Sequence, residues 1–391
     1  MKRTELLDTY QVAGDDKFRL ADAVSNLAKG TVIYKIPGKE LTWYCKTDNG
    51  EDMGIKACPA NPMAKGSGAF VKLSAFDAPN SPTKNWGKEL WEESLSSGRL
   101  WVSFNDKQGK MKFLPVTGRI GSDFALLGIT GPCAQNYTYH LLGLVSECLQ
   151  DKVITLVCRK SDDVEKVISM RSDSYMYIPQ DEAYGLASEL GGKLKGYTVT
   201  NFETVALYEF PKEAVTAKYG NRTANFSPYI RYSTSDAGEN ALSFELGWSY
   251  NNHTVFLASG SNHVSRIHRG VWDESVKAYI KEGCDGLKTK FTVLRDKMDE
   301  LSKITVSHEN IGNVVKNLCH DVKVIGKKVI EAFVTSVSEM FYSDATAAEI
   351  ILAMYEVQDT NDRLRDLSDA QKVTLKHQLG EMPYKRIRQY I

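Results

Sequence analysis

The sequence predicts an α+β protein in which mainly antiparallel sheet is followed by a helical carboxyl-terminal region. Three observations lead there. Turn residues cut positions 1–150 into short apolar stretches. Apolar residues then alternate at a period of two through 151–272. From Trp272 onward they recur at steps of three and four. Three regions are expected: a strand- and loop-rich 1–150, an antiparallel β-rich domain with a packed helix over 151–272, and a helical 273–391.

In the first region, Pro37-Gly38, Asp48-Asn49-Gly50, Pro59 to Pro62, Gly66-Ser67-Gly68 and Pro79 to Pro82 punctuate the chain. Leu100, Val102 and Phe104 alternate with Trp101 and Ser103, and Asp106-Lys107-Gln108-Gly109 then offers a turn before Met111, Phe113 and Leu114. That pattern predicts a hairpin. A helix is expected over Tyr139 to Leu149.

In the second region, ITLVCRK and VEKVISM flank a turn at Ser161-Asp162-Asp163. Pro179 opens a helix, because proline suits the first helical turn and Asp181 and Glu182 suit the positive end of its dipole. Gly191-Gly192 closes it. Segments 197–210 and 241–248 read as strands, the latter with Leu242, Phe244, Leu246 and Trp248 on one face. In the third region a helical pattern runs from Val276 to Leu301 with an interruption at Gly283 to Gly286, and helices follow near 308–341 and 344–357. Ser368 and Gln371 suit a capping box at the start of a last helix.

Length and composition bound the function. A chain of 391 residues exceeds the size at which one core stops growing, roughly 250–300 residues. With 49 basic and 49 acidic residues the net charge is zero, so any polyanion site has to be local. Seven scattered cysteines without a C-x-x-C pair fit reduced thiols, and neither a metal site nor a cofactor is expected. The amino terminus lacks the apolar region of a secretory signal and no run approaches a membrane span, so a cytoplasmic protein with no membrane partner is expected. The Asn136, Asn221 and Asn252 sequons are then chance matches.

No Walker loop, G-x-S-x-G or strand-to-helix G-x-G-x-x-G is present, and the adjacent Cys319-His320 complete no zinc spacing. The strongest local constellation is NHVSRIHRG, followed by Trp272. Extended backbone would put Arg266 and His268 on one side, suited to a phosphate, with Trp272 placed to stack on a base. Arg269 and Lys277 extend this candidate nucleic-acid site, and positions 261–297 hold eight cations against five acids. Arg231 joins them from the aromatic and basic stretch 229–232. Farther on, an acidic 344–369 precedes a basic 371–391, which reads as an internal salt-bridged face ahead of a free basic arm ending in KRIRQY.

Three stretches resemble the phage/plasmid-like family catalogued as domain of unknown function 932, which is carried by prophages, phages and plasmids. They are TLVCRKSDDVEKVISMRSDSYMYIPQDEAYGLASEL, SPYIRYSTSDAGENALSFEL and RIHRG, together roughly residues 150–275. The family's cysteine–threonine–asparagine–glycine run is missing, with GWSYNNHTVFL in its place. The resemblance implies a mobile-element setting in the cytoplasm of a bacterial host cell, and no particular chemistry. It leads to the expectation of a non-catalytic, homo-oligomeric accessory protein that binds single-stranded nucleic acid, as in annealing or recombination. A protein-binding module, such as an inhibitor of a host factor or a virion component, is the competing expectation, and an enzyme with dispersed acids and histidines comes third.

Overall fold

The computed structural model describes residues 1–48, 53–59, 70–72, 83–94, 100–125, 139–161, 164–238, 240–251, 253–256, 263–320, 327–360 and 386–391. The fold is α+β. In chain order the first strands are β1 (Gln11–Gly14), β2 (Thr31–Pro37), β3 (Thr42–Asp48), β4 (Met53–Pro59), β5 (Phe70–Lys72), β6 (Leu100–Asn105) and β7 (Met111–Pro115). Then come β8 (Val153–Ser161), β9 (Val164–Ser172), β10 (Lys193–Thr200), β11 (Thr204–Glu209), β12 (Val215–Tyr219), β13 (Arg222–Thr234), β14 (Leu242–Tyr250), β15 (His253–Phe256) and β16 (His263–Arg266). A short pair, β17 (Thr305–Val306) and β18 (Ala345–Thr346), lies among the later helices. The helices are α1 (Lys17–Gly30), α2 (Lys88–Glu93), α3 (Ile120–Ala125), α4 (Tyr139–Leu149), α5 (Gln180–Ser188), α6 (Glu274–Lys288), α7 (Val293–Leu301), α8 (His308–His320), α9 (Lys327–Ser338) and α10 (Ala347–Thr360).

These strands form an eight-stranded sheet ordered β1-β10-β11-β13-β14-β15, with β12 paired to β13 and β16 to β14. Separate sheets are β2-β8-β9, β5-β4-β3-β6-β7 and β17-β18. Every ladder between these named strands is antiparallel. Strand pairing crosses residue 150: β1 lies on β10 and β2 on β8, so residues 151–270 share two sheets with the amino-terminal chain.

The expected hairpin is β6–β7. Asp106 turns it, its Oδ1 accepting from the amides of Gln108 and Lys110, and Gly109 takes the positive φ the turn requires. Both faces of β6 are buried. Leu100, Val102 and Phe104 face one apolar cluster, while Trp101 packs with Leu6, Trp86, Leu90 and Val164. The segment 197–210 is two strands rather than one, because Thr200 Oγ1 accepts from the amides of Phe202 and Glu203 and reverses the chain. In the β13–β14 ladder Tyr229 lies opposite Gly247. A Cβ there would stand 2.2 Å from the Tyr229 ring, so this glycine makes room for a fully buried tyrosine.

Leu242, Phe244, Leu246 and Trp248 of β14 belong to a core that also takes in Ile280, Leu287, Met298, Val315, Phe333 and Ile351. The later helices therefore close over the same sheet. Helix α6 runs unbroken through Gly283 and Gly286 and stops only at Thr289, contrary to the interruption expected from its glycines. A Cβ at Gly283 would stand 2.9 Å from Val264, so the glycine permits close packing on β16. The turn at Asp162-Asp163, the helix from Ser368 and most of the 344–391 charge pattern lie outside the described residues. At the carboxyl end Ile387 is buried and Arg388 reaches Glu300 at 3.4 Å.

Candidate functional site

Where β9 ends, its backbone carries Met170, Arg171 and Ser172 to the edge of a cavity of about 540 Å³. The turn Ser174-Tyr175 forms a second wall, the β13–β14 loop with Gly238 and Ala241 a third, and Ile267-His268-Arg269 after β16 a fourth. Asp123 of α3 and Ile154 of β8 complete it. This volume falls within the range of small-ligand sites, roughly 300–1,000 Å³.

Each wall is fixed by polar contacts. Arg171 Nε donates to Ala237 O at 2.8 Å and its Nη2 lies 3.2 Å from Asp123 Oδ1. Asp123 Oδ2 in turn accepts from the Met170 amide at 2.7 Å. Tyr175 donates its hydroxyl to Asp236 O, and its ring stacks on His268 at 5.1 Å and 16°. Gly238 has φ +76°, and a Cβ there would stand 2.8 Å from Arg171 Nε, so a larger residue would be strained and crowd the arginine. The loop is anchored from behind by a fully buried pair. Arg159 Nη1 and Nη2 each lie 2.6 Å from an Asp236 carboxylate oxygen.

His268 stands between two walls. Its Nδ1 lies 3.0 Å from Met176 O and its Nε2 3.1 Å from Asn240 O. Burial pushes its pKa below the usual histidine value; the two carbonyls and Asp236 oppose this, and Arg171 adds to it. Since the unfolded chain binds the proton first, His268 should make stability fall as pH drops through about 6.5, the ordinary histidine value. Denaturant titrations at about pH 7.5 and 5.5 should show the wild type losing more stability on acidification than His268→Gln. Equal losses would exclude this contribution.

Of the residues singled out from sequence, His268 and Arg269 line the cavity. Arg269 has no carboxylate partner among the described residues. Arg266 stands behind the lip, its Nη2 donating to Arg269 O at 3.1 Å, and does not share a face with His268 because the strand ends at Arg266. Trp272 and Lys277 form another cluster. Trp272 Nε1 donates to Glu182 at 2.9 Å, and Lys277 meets Glu182 at 2.6 Å and Glu274 at 2.8 Å. Those carboxylates hold the Lys277 ammonium well above the ordinary lysine value. Arg231 sits on the β13–β14 ladder at 2.9 Å from Glu245. Lys281, Lys288, Arg295 and Lys297 are likewise paired, so most of the local excess of positive charge is neutralised by neighbours.

Sequence reasoning did not single out Arg171, Tyr175, Asp236 or Gly238. All lie within the stretches that carry the family resemblance, and those stretches meet at this cavity. Among the described residues no group of three or more His, Cys, Asp or Glu is arranged to hold a metal ion. Nor is any helix among them long and apolar enough to cross a membrane. No family model matches the chain, and neither a curated protein nor a solved structure matches it.

Proposed function

We propose that this protein binds single-stranded nucleic acid at the cavity and does no chemistry on it, as an accessory protein of a phage or other mobile element. What supports this above all is the meeting of Arg171 and Arg269 with the stacked Tyr175 and His268 around one recess. Guanidinium groups suit phosphate oxygens, and aromatic faces accept any base. Among the described residues the only acid in the lining, Asp123, is already committed to Arg171 and the Met170 amide. With Asp123 offsetting Arg171, Arg269 supplies the net charge, so few phosphates are engaged.

Fluorescence anisotropy with a labelled single-stranded oligonucleotide tests this. Binding at low ionic strength should weaken as salt rises, with a log–log slope of about −1.4 to −2.1, the value for two or three phosphates on a single strand. A protein partner is favoured by one feature, the exposure of Ile267 and Val271 on either side of Arg269, at 57% and 66%. Absence of salt-dependent binding to DNA or RNA would remove the nucleic-acid proposal and favour that partner.

A further inference from the structure

We infer that the cavity receives the phosphate-bearing end of a strand and not an internal nucleotide; this rests on the nucleic-acid proposal above. A strand that threads through a recess needs two openings, one for each direction of its backbone. The walls around this recess are sewn to one another. Tyr175 and Arg269 form an antiparallel bridge, and the Met176 amide donates to His268 O at 3.0 Å. The His268 ring then lies between Met176 O and Asn240 O and, with one N–H when neutral, donates to one of the two carbonyls. Arg171 bridges the first wall to the third through Ala237 O. Bonds at these junctions leave no passage for a backbone between the walls they join, so a strand reaches the donors from the mouth of the recess.

The donors suit an end as well. Arg171 is held by Nε and Nη2, and its Nη1 has no hydrogen-bond partner among the described residues. Ser172 and Ser174 share one hydrogen bond at 2.9 Å, so one of the two hydroxyl protons is left to donate elsewhere. With Arg269 this makes three donor groups around one recess. A terminal phosphate brings three acceptor oxygens and a charge of about −1.5 to −2 near neutral pH, more than an internal diester offers.

The test compares four forms of one single-stranded DNA oligonucleotide with the full chain: 5′-phosphorylated, 3′-phosphorylated, hydroxyl at both ends, and circularised. One phosphorylated form should bind at least about tenfold tighter than the hydroxyl form, the worth of one or more charge-assisted hydrogen bonds. The circle should bind weakest. Which of the two phosphorylated forms wins identifies the end. In Ser172→Ala/Ser174→Ala the preference for phosphate over hydroxyl should shrink, and an unchanged preference would show that these hydroxyls do not hold the phosphate. A circle that binds as tightly as the phosphorylated strands would overturn the strand-end site and leave single-strand binding standing. Failure of all four to bind would overturn both.

Discussion

Asp236→Asn should cost about 3–5 kcal/mol of stability, the range for removing one partner of a buried ion pair. Both Arg159 and Asp236 are fully buried. Burial alone would lower the Arg159 pKa, but the charge of Asp236 and its hydrogen bonds outweigh that and hold the guanidinium protonated. Asparagine keeps the shape and removes the charge, leaving a cation in the interior. Its remaining contacts are Asn201 O at 2.8 Å and the Thr31 hydroxyl. The hydrogen bonds that Thr31 and Gln180 give Asp236, at 3.1 and 3.3 Å, are weakened in the same step. Against a total stability of about 5–15 kcal/mol this is a large share. Denaturant titration measures it. The double replacement Arg159→Met/Asp236→Leu should cost less than Asp236→Asn, since it removes the charge with its partner. A loss below about 1 kcal/mol for Asp236→Asn would show that the pair is not what holds this junction. The cavity should suffer too, because the Asp236 carbonyl anchors Tyr175 and the following residues form a wall.

How much of this was legible in the sequence depends on the distance over which each feature is decided. The β6–β7 hairpin is local: alternation and an Asp106-to-Gly109 turn are enough. Helix α5 is local as well, opening after Pro179 and followed by Gly191 at positive φ. The turn between β10 and β11 was hidden because its central residue, Phe202, is apolar and fully buried while a threonine hydroxyl supplies the reversal. Gly283 of α6 suggests a break because its use is tertiary, against Val264. The joining of β1 to β10 and β2 to β8 is decided entirely by long-range pairing. The site follows the same logic. His268 and Arg269 stood out as neighbours in sequence, but Arg171 and Tyr175 reach them from across the fold. Lys277 looked free because Glu182, which neutralises it, lies far back in the chain.

That difference in surroundings separates two cations that the sequence alone treats alike. Arg269→Glu should reduce single-strand binding below detection, whereas Lys277→Ala should leave it unchanged. Arg269 is exposed at the cavity lip and its side chain makes no ion pair with the described residues. Lys277 already sits between two carboxylates at 2.6 and 2.8 Å, so a phosphate would have to displace them. For Arg269→Ala the affinity should fall about tenfold or more, the worth of a hydrogen bond to a charged group. The salt slope should flatten by about 0.7, the loss of one phosphate contact on a single strand. Glutamate adds repulsion to that loss. Both positions are outside the apolar core, so denaturation midpoints should move little, and a preserved midpoint separates lost binding from lost folding. If Lys277→Ala weakens binding as much as Arg269→Ala, the strand lies along the α5–α6 cluster with Trp272 and not in the cavity. If Arg269→Glu binds like the wild type, Arg269 makes no phosphate contact and the cavity is not the nucleic-acid site.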